Sequence, residues 1–399
     1  MKAYLFLLPL KWLLYLVTLL IPTRSNLWAF GSRNGQFVDN PKYFFLYMNE
    51  FHTNVDCIWI SSDNNVLAEL SSLGFSAFNK WSFKGLWYSI RASRFIYAFD
   101  SDDVNFFSSS NSQLVNLYHG IPLKKIEFDT TVGSSHLIYH PQTFYQIIRS
   151  KLLYATKWQP IDIFQVPSAS LVSIHELAFN QQISKYHIGA NPRLAPLLLN
   201  APLDDVIKSD MKKAKEFVTG FTKVMIYMPT WRVGAPDILN EAFPDIEHLN
   251  ECLKENNILL ILKMHLYSDA KITALSHIKT FPQELDIYPF MSVVDVLITD
   301  YSSIAFDFDL VDGNILFYPY DLDDYCLNSS DGFYFDYDDF TNHAMLTNFE
   351  QLIAKILSNE FDDDRLGKNI SQQVWPNKNQ ASVFESNKRL YNAIVELGE

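Results

Sequence analysis

VLITDYSSIAFDF, residues 296–308, decides the fold. Val296–Thr299 form a short apolar run of the kind that makes a strand covered on both faces. Asp300, Tyr301, Ser302 and Ser303 interrupt it, and apolar spacing of helical period resumes at Ile304. Strand, polar turn and helix make one unit of a parallel α/β sheet. Such sheets bind ligands beyond the carboxyl ends of their strands. A starting helix offers unpaired N–H groups and the positive end of its dipole, which suits an anion, and hydroxyls add donors. A plain helix cap by Ser302 or Ser303 explains the same residues without any ligand.

The same unit recurs on either side. KVMIYMPTW (223–231), NILLILKMHLY (257–267) and NILFYPYD (314–321) are apolar strands, and helical stretches such as IEHLNECLKEN (246–256) separate several of them. Earlier in the chain come the strands Leu27–Phe30, VDCIWIS (55–61), RFIYAFD (94–100) and one at 112–118. The helical segments NPKYFFLYMNEF (40–51) and NNVLAELSSLG (64–74) stand among them. The expectation is an α/β chain with two doubly wound halves, residues 25–200 and 215–399. ANPRLAPLLLNAPLDD (190–205), with three prolines, reads as the linker.

A chain of 399 residues is long enough for two cores, and 48% hydrophobic residues exclude a disordered polymer. A formal charge of −13 argues against a nucleic-acid partner, which would need clustered Lys and Arg. Cys57, Cys252 and Cys326 are too far apart for metal-ligand spacing, and an odd count fits no disulfide framework; a reducing compartment is expected. AYLFLLPLKWLLYLVTLLIP (3–22) is apolar over nearly a bilayer span but is broken by Pro9 and Lys11. A charge in mid-membrane costs about 2.5–3.5 kcal/mol on insertion scales. A helix in the membrane interface, residues 1–24, would instead lift Lys11 into the headgroups beside Trp12 and Tyr15. A single spanning helix and a helix packed on the first domain are the alternatives.

The strand ends gather the polar chemistry. His119 and Gly120 follow one strand, with Lys124 and Lys125 close behind. Thr230, Trp231 and Arg232 follow the strand at 223–228. Lys263 and His265 follow 257–262, and Asp300, Ser302 and Ser303 follow 296–299. A histidine near neutral pKa can take a proton from an alcohol, and Gly120 lets a ligand approach the backbone. A lone histidine at a strand end is more often structural, and two of them in equivalent places weaken that reading. Neither a Walker loop nor a G-x-G-x-x-G fingerprint is present, and no metal motif appears, so no cofactor is expected. The absence of G-x-S-x-G lowers a hydrolase reading.

Six motifs in order, FGSRNGQFVDNPKYFFLYM (30–48), YHGIPLKKIEFD (118–129), MPTWR (228–232), KMH (263–265), TDYSSIAFDF (299–308) and DGFYFDYDDF (331–340), resemble the CDP-glycerol glycerophosphotransferase family. The resemblance runs from about residue 27 to 385. It implies a GT-B arrangement of two Rossmann-like domains, an acceptor half and a CDP-donor half, facing a cleft. By it, His119 matches the proposed base and His265 a second essential histidine. Thr230, Arg232, Ser302 and Ser303 match positions of the nucleotide diphosphate pocket. Implied partners are a CDP-polyol donor, a lipid-linked saccharide or polyol-phosphate acceptor and the cytoplasmic membrane face. The chain departs from the family at Tyr118, where Trp is usual, at Leu266, where Pro is usual, and at NPRLA (191–195), which lacks the usual Asn and Asp after Arg. These departures leave glycerol or ribitol open as the carried polyol. A GT-B glycosyltransferase using a nucleotide sugar and an inactive membrane-bound scaffold are the rival readings.

Overall fold

A computed structural model describes residues 2–133, 136–180, 182–198, 202–230, 238–263, 275–328, 331–378 and 382–398. Among these, twelve strands form two sheets, and every strand pair in them is parallel. The first sheet holds β1 (Arg24–Phe30), β2 (Asp56–Ser61), β3 (Ala77–Asn79), β4 (Ala92–Tyr97), β5 (Gln113–Asn116), β6 (Ile161–Val166) and β7 (Ile183–Ile188) in the order 3-2-1-4-5-6-7. The second holds β8 (Lys223–Tyr227), β9 (Ile258–Leu262), β10 (Ile278–Thr280), β11 (Val296–Thr299) and β12 (Asn314–Phe317) in the order 10-9-8-11-12. In each, the winding reverses once, between β1 and β4 and between β8 and β11.

The apolar runs behave as strands buried on both faces should. All of β9 and β11 are buried. Ile298 of β11 lies opposite Tyr227 of β8, which brings the loops after both strands side by side. Four strands escape the sequence reading. β3 and β10 have three residues each. β6 and β7 carry polar residues that break the apolar run. Those in β6 have structural partners: Asp162 accepts the Leu114 N–H at 2.6 Å, and Gln165 donates to the Ala190 carbonyl at 2.9 Å.

The C-terminal helix Val383–Glu396 returns to the first sheet. Tyr391 meets Trp28 at 5.8 Å between rings, and Arg94 and Gln113 donate to the carbonyls of Ile394 and Leu397. One continuous apolar cluster runs from Trp28 and Phe45 in the first half to Phe290 and Phe306 in the second.

The N-terminal helix, Lys2–Thr18, packs by one face on the turn Phe106–Ser108. Trp12 meets Phe106 edge-on at 5.7 Å and Tyr15 stacks on it at 5.2 Å. Lys11 departs from expectation: its ammonium lies 4.3 Å from the Trp81 ring, on the protein side rather than among headgroups. The aromatic faces attract the cation, while burial lowers its pKa and Asp102 acts the other way. Leu10, Leu13 and Leu16 remain exposed on the other face, as does Leu20 beyond the helix end. No helix among the described residues is long and apolar enough to cross a membrane.

Candidate active site between the two sheets

β5 ends at Asn116, and the next three residues turn sharply to present His119. The Asn116 side chain accepts the Tyr118 N–H at 2.8 Å. Tyr118 takes a left-handed conformation, φ 47°, unusual for a bulky residue. Such backbone costs about 1–3 kcal/mol and persists only where the surroundings enforce it. Here they do. Asn40 is fully buried and donates to the carbonyls of Leu117 (3.1 Å) and Tyr118 (2.6 Å). The Tyr118 ring is packed against Phe164, His175 and Phe179.

Arg193 secures the next residue. Its guanidinium donates to the His119 carbonyl (2.5 Å), to Asp39 (2.8 Å) and to Asp307 (2.6 Å), and its backbone N–H reaches the Asn40 side chain. Asp307 belongs to the helix Ile304–Asp309 of the second half and also accepts the Tyr288 hydroxyl at 2.8 Å. Burial opposes the charge on Arg193, but Asp307, Tyr288 and Asp39 more than restore it, so its pKa is raised. The segment read as a plain linker is therefore buried at Asn191, Arg193 and Leu194 and ties both halves to the His119 loop.

Across that tie the two motifs meet. A methyl group placed on the Gly120 Cα would stand 3.0 Å from Ser303 Oγ and 3.5 Å from the Arg193 guanidinium. Ser303 begins the helix Ile304–Asp309, yet its side chain makes no capping bond. Ser302 and Ser303 are half-buried, and neither hydroxyl has a hydrogen-bond partner among the described residues. The simple cap is thus not the role these hydroxyls play. Downstream, Lys124 pairs with Phe333 in an antiparallel bridge, and the Tyr334 N–H donates to the Leu123 carbonyl at 2.8 Å. This brings the DGFYF segment onto the loop after His119. The Lys124 ammonium lies 5.8 Å from the Tyr325 ring centre.

Thr230 and Asp300 meet at the reversal point of the second sheet. Asp300, fully buried, accepts the N–H of Thr230 at 2.8 Å and that of Tyr301 at 2.5 Å. It fixes the backbone at the start of both loops. Lys263 is half-buried, its ammonium 4.8 Å from the Phe281 ring. Burial lowers its pKa while Asp286 acts the other way. Arg232 and His265 lie outside the described residues. Among the described residues, no group of three or more His, Cys, Asp or Glu is gathered to hold a metal.

His119 is half-buried between Phe99 (5.2 Å) and Tyr118 (4.4 Å). Its Nδ1 is buried without a hydrogen-bond partner. Burial lowers its pKa; Asp39 raises it and Arg193 lowers it. A neutral imidazole on the loop that meets the Ser303 turn can accept a proton from a bound alcohol. Asp39, Asn40, Arg193 and Asp307 escape the sequence reading. Asp-Asn-Pro before a helix reads as an ordinary start signal, and Arg193 as part of a proline-rich connector.

The model of the family described as CDP-Glycerol:Poly(glycerophosphate) glycerophosphotransferase matches residues 13–396. The teichoic acid poly(glycerol phosphate) polymerase of Bacillus spizizenii is 30% identical over 352 residues, covering 84% of each chain. The teichoic acid glycerol-phosphate transferase of Staphylococcus aureus is 27% identical over 329 residues, covering 78% of each. A solved structure of the wall teichoic acid polymerase TagF superposes with a TM-score of 0.73 at 19% identity, covering 100% of this chain and 98% of that one; it speaks for the fold. With a family match over nearly its whole length, this chain belongs to the CDP-glycerol:poly(glycerophosphate) glycerophosphotransferases.

Proposed function

We propose that the chain transfers glycerol phosphate from CDP-glycerol to a hydroxyl of a membrane-linked acceptor, releasing CMP, in the synthesis of a teichoic-acid-like polymer. The observation that carries this is the approach of Gly120 to Ser303 across the two sheets, beside a neutral His119. The acceptor oxygen attacks the β-phosphorus of the donor as the bond from that phosphorus to the CMP oxygen breaks. His119 takes the acceptor proton, and CMP leaves with the electron pair. Charge builds on the phosphoryl oxygens in such a transfer. Ser302 and Ser303 are the described donors that face it, with Arg232, Lys263 and His265 proposed beside them from the sequence.

In this reading residues 25–200 form the acceptor domain and 215–399 the donor domain of a GT-B arrangement, with Thr230 and Asp300 shaping the nucleotide side. Glycerol is preferred to ribitol because the relatives matched over most of the chain are named for glycerol phosphate. The test is CMP release by the purified chain from a panel of CDP-polyols and nucleotide sugars. CDP-glycerol is expected to give the fastest release. A nucleoside diphosphate released from a sugar donor would overturn the assignment.

The N-terminal helix is proposed to lie in the cytoplasmic membrane face through Leu10, Leu13 and Leu16, the exposed apolar side described above. Glutamate at these three positions is expected to release the protein from anionic vesicles. Undiminished vesicle binding would remove the helix from this role.

A further inference from the structure

The first sheet carries a second concave site, with Phe99 in its lining and the His119 ring 5.2 Å from that of Phe99. Its strand order reverses between β1 and β4, where an open parallel sheet leaves a crevice at its carboxyl edge. A cavity of about 350 Å³ lies there, lined by Arg33, Ser62, Lys80, Phe99, Asp100 and Asp102 among others. Its walls are built, not loose. Gly35 has φ 74°, and a methyl group on it would stand 2.7 Å from the Ser62 nitrogen, so the loops after β1 and β2 are in direct contact. The Ser61 hydroxyl donates to the Gly35 carbonyl at 2.5 Å.

Three carboxylates, Asp100, Asp102 and Asp103, line this cavity together with the cations Lys80 and Arg33. Asp102 pairs with Lys80 at 2.8 Å, and Asp100 at 3.6 Å shares Lys157 with Glu127, which is closer at 3.1 Å. Asp103 accepts the N–H groups of Ala98 and Phe99. Burial, then the neighbouring Asp100, pushes its carboxyl up to about 7, which reduces the negative charge there near neutral pH. Arg33 is exposed, stacked 4.8 Å over the Phe99 ring, and has no ion-pair partner among the described residues. A guanidinium fixed on an aromatic face and unanswered by a carboxylate suits a phosphate, which it can bind through two parallel hydrogen bonds.

We propose that this cavity is the acceptor subsite: Arg33 holds the phosphate of the terminal polyol-phosphate unit while Asp100 and Ser62 accept its hydroxyls. The unit's free end then passes Phe99 to reach His119, whose ring is 5.2 Å from that of Phe99. This placement rests on the function proposed above. It puts acceptor and donor at the reversal points of different sheets, with His119 between them.

The test uses the full chain and a soluble glycerol-phosphate trimer as probe. Calorimetry compares wild type, Arg33→Gln and the remote control Arg24→Gln, each with the trimer and with CDP-glycerol. CMP release is followed with the trimer and, without acceptor, into water. Arg33→Gln is expected to weaken trimer binding and raise its KM at least tenfold. CDP-glycerol binding and cleavage by water should stay within twofold, and Arg24→Gln should match wild type. A wild type that fails to bind the trimer overturns the subsite. So does unchanged trimer binding in Arg33→Gln, or a parallel loss of CDP-glycerol binding. A wild type that binds the trimer but releases no CMP from any CDP-polyol breaks the proposed function instead, and the Arg33 comparison still decides the subsite.

Discussion

Arg193 and Lys42 cross the same interface and differ in what they touch. Each is a buried cation from the first half paired with a carboxylate of the second: Arg193 with Asp307 at 2.6 Å, Lys42 with Asp286 at 2.7 Å. Each has a second carboxylate, Asp39 for Arg193 and Asp210 for Lys42. For Lys42, as for Arg193, burial opposes the charge and the neighbouring carboxylates outweigh it, so the pKa is raised. The difference is one further bond, from Arg193 to the His119 carbonyl. A buried ion pair holds domains together wherever it lies; it bears on chemistry only where it also fixes a reacting group.

Removing one partner of a buried pair leaves an unpaired charge and costs about 3–5 kcal/mol. Arg193→Gln and Lys42→Met should therefore lose similar stability in denaturant titrations. Turnover should separate them. A misplaced catalytic group can lose about 10²-fold. Arg193→Gln is thus expected to lower kcat by roughly that factor in the fraction that remains folded, with the KM for CDP-glycerol little changed. Lys42→Met should keep kcat within about threefold. Equal kcat losses would show that both residues act only by holding the halves together.

The smallest expected effect is on pH dependence. Burial holds His119 below the ordinary imidazole value of 6.5. A general base works in its neutral form, so kcat/KM should rise with pH through a limb below 6.5 and be level at neutrality. Lys42→Met should leave that limb in place. Arg193→Gln should raise it, because Arg193 is one of the groups that lower the His119 pKa. A limb above neutral pH in the wild type would remove His119 from the role of base.

How far the sequence could be read follows from the range of the interactions. VLITDYSSIAFDF shows its strand and turn because those depend on local spacing. The long apolar strands β8, β9 and β11 are legible for the same reason. β7, with Ser184, Lys185 and His187 interleaved among apolar residues, is not, because its pairing with β6 is decided by tertiary contact. The site divides likewise. His119, Gly120 and Ser303 stand out at strand ends, where chemistry concentrates. Asn40 and Arg193 act from 78 and 74 residues' distance in sequence on the carbonyls of Tyr118 and His119, and no local pattern announces that. The orientation of Lys11 is misread for the opposite reason. A membrane argument weighs the helix alone, whereas Trp81 and Phe107 supply a partner from elsewhere in the fold.

We assign the base to His119, on the loop that meets the turn bearing Ser303. The most direct test of this assignment is His119→Ala, measured for CDP-glycerol affinity at equilibrium and for CMP release in a single turnover. Affinity is expected within a few-fold of wild type, with release slowed by about 10²-fold or more. Release at near wild-type rate from the same bound donor would contradict the assignment.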